Sequence, residues 1–235
     1  MVRVDFLSQQ EKIPVGLCHI KQVHGTDVYV VNSDNIKELA VESPVICADA
    51  LVTSLRGVPL GIKTADCLPV FIGAFESRTN KALAIAVVHA GWKGLVAGVL
   101  ENSFQAIQAM AKKQDQNPSA GSRDIYYRGS IGPCLGTCCF EVGPEVVELF
   151  RSRLSSQAKT GELPEICESN WLRKKDTFSK AHIDLRYIAE RILLSQSAQL
   201  KMEPIKATCT KCDPTWASYR RDGAGAKRNW LVANI

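Results

Sequence analysis

The chain has 235 residues, 46% hydrophobic and 23% charged, with a formal net charge of +5. That is enough apolar sequence to bury a core without disulfide staples, while the basic residues are too scattered to imply a nucleic-acid surface. No stretch approaches the length of a membrane span, and "MVRVDFLSQQEK" lacks the apolar region of a secretory signal, so a cytoplasmic protein with no membrane partner is expected.

In chain order, short apolar runs broken by turns come first. "DVYVV" from Asp27, "ADALVT" from Ala48 and "LPVFIGAF" from Leu68 read as strands. "ALAIAVV" from Ala82 is apolar throughout, as a strand buried on both faces should be. After Gly94 the period changes: Leu95, Val96, Val99, Leu100, Ile107 and Ala111 recur at helical steps, predicting a helix to about Lys113. "QDQNPSAGS" breaks that pattern, and "DIYYRGSI" from Asp124 predicts another strand. Pro144 suits a first helical turn that runs on to Phe150. From Arg151 to Lys180 the chain is polar and is expected to be an irregular surface excursion, with Arg173-Lys174-Lys175 as a solvated loop. Ile183, Ile188, Ile192 and Leu193 predict a second long helix. "SYRRDG" predicts a turn, and "NWLVANI" a closing strand. Strands and helices alternate without strict βαβ regularity, which predicts a single α/β domain, residues 1–235, with a mixed sheet.

Only four histidines occur, and two stand beside glycine at the end of β-like runs: His24 in "QVHG" and His89 in "VVHAGWKG". Between them lies Cys67 in "KTADCLP". Two imidazoles and a thiolate suit zinc, and three protein ligands leave a fourth position open. The same three residues equally describe a metal-free cysteine hydrolase, with Cys67 as nucleophile and His89 or His24 as base. They also fit a histidine that merely ends a strand and a cysteine that is merely packed. Nine cysteines in a cytoplasmic chain point to reduced thiols or metal ligands rather than disulfides. "CLGTCC" (Cys134, Cys138, Cys139) and "CTKC" (Cys209, Cys212) could together supply four thiolates for a structural zinc, or a redox pair, although no thioredoxin-like context surrounds Cys209.

Taken together and in this order, "QVHG", "ADALVT", "TADCLPV", "HAGWKG", "CCFEVG" and "SYRRDG" resemble the YfiH/YlmD family, whose older name is the laccase-domain or polyphenol-oxidase family. FAMIN is a mammalian relative. The resemblance implies a single-domain α/β layered sandwich of mixed sheets flanked by helices. It implies zinc held by His24, Cys67 and His89, with copper as another possible occupant. It also implies purine nucleoside and phosphate as substrates: phosphorolysis of adenosine, inosine, guanosine and methylthioadenosine, and deamination of adenosine. Family members usually carry a longer segment before "QVHG", so this domain is expected to be shortened at its amino end. "IGPCLGTCCFEVG" and "AGAKRN" depart from the usual "IGPAIGPCCYEVG" and "TGR".

A multicopper oxidase needs more imidazoles than four, so that reading of the old label is disfavoured. Deamination by water at a zinc site needs a carboxylate to carry the proton, for which Asp66 and Asp49 are the candidates. Asp66 could instead cap a turn. Phosphorolysis needs an anion site, for which Arg220 and Arg221, then Lys63 and Lys93, are the candidates. A salt bridge from the arginine pair to Asp222 is the alternative. A non-catalytic binding protein is the reading of a different class, and the oligomeric state is not legible.

Overall fold

The computed structural model describes residues 1–114, 124–159, 166–173, 180–204 and 208–235. Its elements, in order, are β1 (Arg3–Leu7), β2 (Val28–Val30), α1 (Ile36–Leu39), β3 (Ala50–Thr53), β4 (Leu60–Thr64), β5 (Leu68–Glu76), β6 (Ala82–Ala90), α2 (Trp92–Ala97) and α3 (Val99–Lys113). There follow β7 (Ile125–Ile131), β8 (Glu141–Val142), α4 (Pro144–Lys159), β9 (Leu172–Arg173), β10 (Ala181–Ile183), α5 (Leu185–Gln196), β11 (Leu200–Met202), α6 (Tyr219–Asp222) and β12 (Asn229–Asn234).

The strands form a six-stranded sheet in the order β11-β7-β5-β6-β3-β2 and two three-stranded sheets, β1-β12-β4 and β8-β10-β9. In the large sheet the two outer pairs, β11 with β7 and β2 with β3, run parallel, and the inner pairs run antiparallel. The sheet is therefore mixed, as expected. Its central strands are buried on both faces. Val70, Ile72, Ala74, Ala84, Ala86 and Val88 pack under α3, α4 and α5, while Phe71, Ile85 and Val87 pack against Leu60, Ile62, Leu231 and Ala233 of the small sheet. Alternate residues of one strand thus feed two separate cores, which is why "ALAIAVV" shows no polar side. The result is a layered α/β sandwich: helices, large sheet, small sheet. No helix among the described residues is long and apolar enough to cross a membrane.

Three expectations need correction. The helix after Gly94 is two helices, α2 starting at Trp92 and α3 at Val99, because Gly98 adopts φ +102° between them. The stretch from Arg151 is not irregular throughout: α4 continues to Lys159, burying Leu154 and Gln157 on the face begun by Val147 and Phe150. Within the same stretch, Leu172–Arg173 also forms a strand. Ile183 belongs to β10, not to the helix that follows it. No periodicity predicts β1 or β4, and both are strands of the small sheet. The loop expected at "QDQNPSAGS" and Lys174-Lys175 of the basic run fall outside the described residues, apart from Gln114.

Candidate metal centre and its cavity

The central strands of the large sheet present the candidate residues at one end. His89 sits one residue before the end of β6, paired across the ladder with Pro69 of β5. Cys67 immediately precedes β5. His24 lies in the turn before β2, with φ +62°. Each of the three offers a ligand atom, and these atoms all lie within 4.8 Å of one another. The His24 Nε2 to Cys67 Sγ separation is 3.8 Å, and the two imidazoles meet edge to face with centroids 4.8 Å apart.

Asp49 holds this arrangement from behind. It is fully buried and immediately precedes β3. Its Oδ1 lies 2.7 Å from His89 Nδ1 and accepts the His24 N–H at 2.9 Å, while Oδ2 accepts the Gly25 N–H at 2.6 Å. One carboxylate therefore fixes the His89 ring and the positive-φ turn that carries His24. Burial pushes the Asp49 carboxyl up, but the hydrogen bonds from His89, Gly25 and His24 outweigh it and hold it below the usual range. With an Nδ1 proton directed at Asp49, the neutral His89 ring keeps the Nε2 lone pair free, the arrangement in which histidine commonly binds a metal.

The glycine after His89 serves close approach. A Cβ on Gly91 would stand 2.8 Å from His24 Cδ2 and 3.4 Å from Cys67 Sγ. Without it the second histidine could not reach the first. Soft sulfur plus two imidazoles, one of them held by a buried carboxylate, fits a borderline-soft ion such as zinc. In the metal-free chain the same proximity has another effect. Burial raises the Cys67 thiol, yet hydrogen bonds to His24 and His89 outweigh it and bring it down to about 6. Burial lowers His89, but Asp49 and Cys67 pull it up to about 9. Cys67 and His89 are then a thiolate–imidazolium pair.

The three residues line a cavity of about 760 Å³, within the range of small-molecule sites. Its wall is cationic and aromatic: Lys63, Lys93, Arg220 and Arg228 with Trp92, Phe140 and Tyr219. Lys63 Nζ lies 5.0 Å from the Trp230 ring, and Lys93 Nζ 5.7 Å from that of Trp92. The Arg220 guanidinium reaches the Glu141 carbonyl at 3.3 and 3.4 Å and lies 6.0 Å from the Phe140 ring.

The remaining candidates divide clearly. Asp66 faces the cavity with φ +86°. Its Oδ1 accepts the Thr210 hydroxyl at 2.6 Å and its Oδ2 the Arg220 N–H at 2.6 Å, so it joins the first motif cluster to the carboxyl-terminal arm. Asp49 does not line the cavity and acts on it through the residues it holds, His89, His24 and Val23. Arg221 does not line it either: its guanidinium grips Asp222 at 2.8 Å and donates to the carbonyls of Thr210 at 2.9 Å and Trp216 at 2.8 Å. Arg228, Tyr219 and Gln22 line the cavity without having been singled out. Tyr219 stands inside the quoted "SYRRDG", and Arg228 inside "AGAKRN", but nothing in their spacing marks either one.

Residues 4–232 match the family described as "Multi-copper polyphenol oxidoreductase laccase". Among curated proteins, "Adenosine deaminase RL5" from an unknown prokaryotic organism is 28% identical over 214 residues, covering 89% of this chain and 71% of that protein. A "Purine nucleoside phosphorylase" of Xylella fastidiosa (strain 9a5c) is 30% identical over 216 residues, covering 90% of this chain and 71% of its own. Among solved structures, the Bacillus licheniformis hypothetical protein YfiH superposes with a TM-score of 0.70 at 20% identity, covering 94% of this chain and 74% of its own, and so supports the fold.

Proposed function

The chain belongs to the multi-copper polyphenol oxidoreductase laccase family, and from its site we propose that it is a zinc-dependent purine nucleoside enzyme. It phosphorolyses adenosine, inosine, guanosine and methylthioadenosine, and hydrolytically deaminates adenosine. The observation that carries this reading is the His24–Cys67–His89 cluster, braced by Asp49 and opening onto a cationic, aromatic cavity. Relatives named purine nucleoside phosphorylase and adenosine deaminase support it.

Bound zinc would supply Lewis acidity at an open fourth position. The chain's own residues do the rest. Asp49 is a positioning residue that holds His89 in one tautomer. Trp92, Phe140 and Tyr219 offer faces for a purine ring. Arg220, Arg228, Lys63 and Lys93 offer positive charge for phosphate. In phosphorolysis a phosphate oxygen bonds to C1′ of the ribose, the bond from C1′ to the purine nitrogen breaks, and the base leaves with the electron pair. In deamination water adds at C6 and ammonia leaves. Asp66, facing the cavity beside Cys67, is the group we assign to proton transfer. Arg221 we assign to holding the carboxyl-terminal arm rather than to substrate.

The family's name fits this chain poorly as chemistry. His19 packs edge-on to Trp230 with ring centroids 5.5 Å apart, and His182 lies on β10, which leaves two imidazoles at the site. That is too few for several coppers, while one copper would suit the same ligands.

Incubation with adenosine and phosphate, followed by chromatography, is expected to yield adenine and inosine. Absence of both above a Cys67→Ala control overturns the proposal. The thiolate–imidazolium pair favours a second reading, a metal-free cysteine hydrolase. Loss of one equivalent of zinc with Cys67→Ala supports the first. An active chain whose zinc content Cys67→Ala leaves unchanged, and whose Cys67 is rapidly alkylated, supports the second.

A further inference from the structure

A second cluster of donors lies away from the histidines. Cys138 and Cys139 follow β7 in a tight turn, with the Cys139 and Phe140 N–H groups both donating to the Gly136 carbonyl at 2.9 Å. Cys209 and Cys212 bracket a second turn, in which the Cys212 N–H donates to the Cys209 carbonyl at 3.1 Å. The two turns are joined by a bridge between Cys134 and Cys209, where the Thr210 N–H donates to the Cys134 carbonyl at 3.0 Å. All four sulfurs of Cys138, Cys139, Cys209 and Cys212 lie within 4.8 Å of one another. Cys212 Sγ stands 3.7 Å from Cys138 Sγ and 3.4 Å from Cys139 Sγ.

Those separations are far longer than a disulfide, which is about 2.0 Å. They are close to the spacing of about 3.8 Å between sulfurs that a tetrahedron with zinc–sulfur bonds of about 2.3 Å requires. The backbone is shaped to the cluster as well. The Gly136 N–H donates to Cys209 Sγ at 3.2 Å, a bond that favours thiolate over thiol. A Cβ on Gly136 would stand 3.0 Å from Cys209 Cβ and 3.3 Å from Cys138 Sγ, so a side chain there would press directly on the cluster. Four neutral thiols gain little from such crowding, whereas four thiolates around a divalent cation gain a great deal. The second turn is braced from behind: the Arg221 guanidinium donates to the carbonyls of Thr210 at 2.9 Å and Lys211 at 3.3 Å.

We propose that Cys138, Cys139, Cys209 and Cys212 form a tetrathiolate site that holds one zinc ion and fastens the carboxyl-terminal arm to the turn after β7. The consequence reaches the cavity. The arm leaving Cys209 carries Thr210, which donates to Asp66, and Tyr219 and Arg220, which line the wall. The turn after β7 carries Leu135 and Phe140, which also line the cavity, Phe140 against the Arg220 guanidinium. Zinc at the four cysteines would hold those two lining segments together without touching substrate.

The test uses the full chain purified under reducing conditions, with zinc counted by elemental mass spectrometry. A His24→Ala/Cys67→Ser variant removes the histidine site, so that failure of the proposed function cannot be mistaken for failure here. That variant is expected to retain roughly one zinc per chain, and a Cys209→Ser/Cys212→Ser variant is expected to carry less zinc than the parent chain. Peptide mapping after iodoacetamide gives an answer even where the latter variant does not fold. Cys138, Cys212 and Cys47 are all exposed. In the zinc-loaded His24→Ala/Cys67→Ser variant, Cys138 and Cys212 should resist alkylation while Cys47 reacts, and a chelator should speed their labelling roughly tenfold or more. The proposal is overturned if this variant holds no zinc, or holds iron instead. It is equally overturned if Cys138 and Cys212 react as readily as Cys47 with or without chelator.

Discussion

Asp49 is the residue on which the candidate centre turns. It contributes no ligand, yet it fixes one histidine ring by Nδ1 and the backbone of the other histidine's turn. Asp49→Asn keeps the size but loses the charge, and its amide can present the wrong atom to His89. Zinc affinity is expected to fall roughly 10–100-fold, read by competition with a chromogenic chelator. Unchanged affinity would mean that His89 needs no partner. Cys67 gives a second test at this scale. In the chelated chain its thiol is held at about 6, so thiolate is present above that pH and is lost as pH falls through it. Alkylation of Cys67 should therefore be half-maximal near pH 6, rather than near the ordinary thiol value of about 8.5. His89 has the opposite sign: its protonated form persists until pH rises through about 9, so the pair is fully formed between these values. A profile centred at the ordinary value would break the pairing of Cys67 with the histidines.

At the scale of elements, the break between α2 and α3 separates the helix that begins at the cavity from the helix that packs on the sheet. α2 starts beside the site, and its last residue gives way to Gly98 at φ +102°, from which α3 runs under the sheet. Gly98→Ala puts a side chain in the left-handed region, with its Cβ 3.2 Å from Arg153 Nη2. A loss of about 1–2 kcal/mol is expected by urea unfolding. A change within about 0.5 kcal/mol, the usual range for surface substitutions, would show that the break is not held by this residue. The same element level explains what was misread. α4 looks polar after Phe150 because Arg151 pairs with Glu168 at 2.7 Å and Arg153 with Glu101 of α3, so its charges are spent on neighbours. β4 is short and follows Gly57 and Pro59, which read as punctuation. Only its ladder with β12 makes it a strand.

For the whole molecule, the two cores on either side of the large sheet set the stability. Ile85 of β6 is fully buried on the face toward the small sheet. Ile85→Ala leaves a cavity between two sheets whose backbones are tied by ladders and cannot readily collapse. A loss of about 2–5 kcal/mol is expected from the urea midpoint at unchanged slope. A much smaller loss would show that the small sheet moves in to fill the space.

By itself the sequence determined the central strands, because both of their faces are buried and the apolar run is continuous. It also marked His24, Cys67 and His89, because a histidine or cysteine between an apolar run and a turn is a local pattern, legible without any partner. Tertiary structure alone decided the rest. It placed Asp49 behind His89, 40 residues away in sequence, instead of in the cavity. It turned Arg221 away while Arg220 faced in, although the two are adjacent. It brought Arg228 to the wall and set four cysteines from two distant turns within 4.8 Å. The physical reason is that burial and periodicity leave a trace every second or fourth residue. The meeting of remote side chains depends on how strands are ordered in a sheet, which no local spacing records.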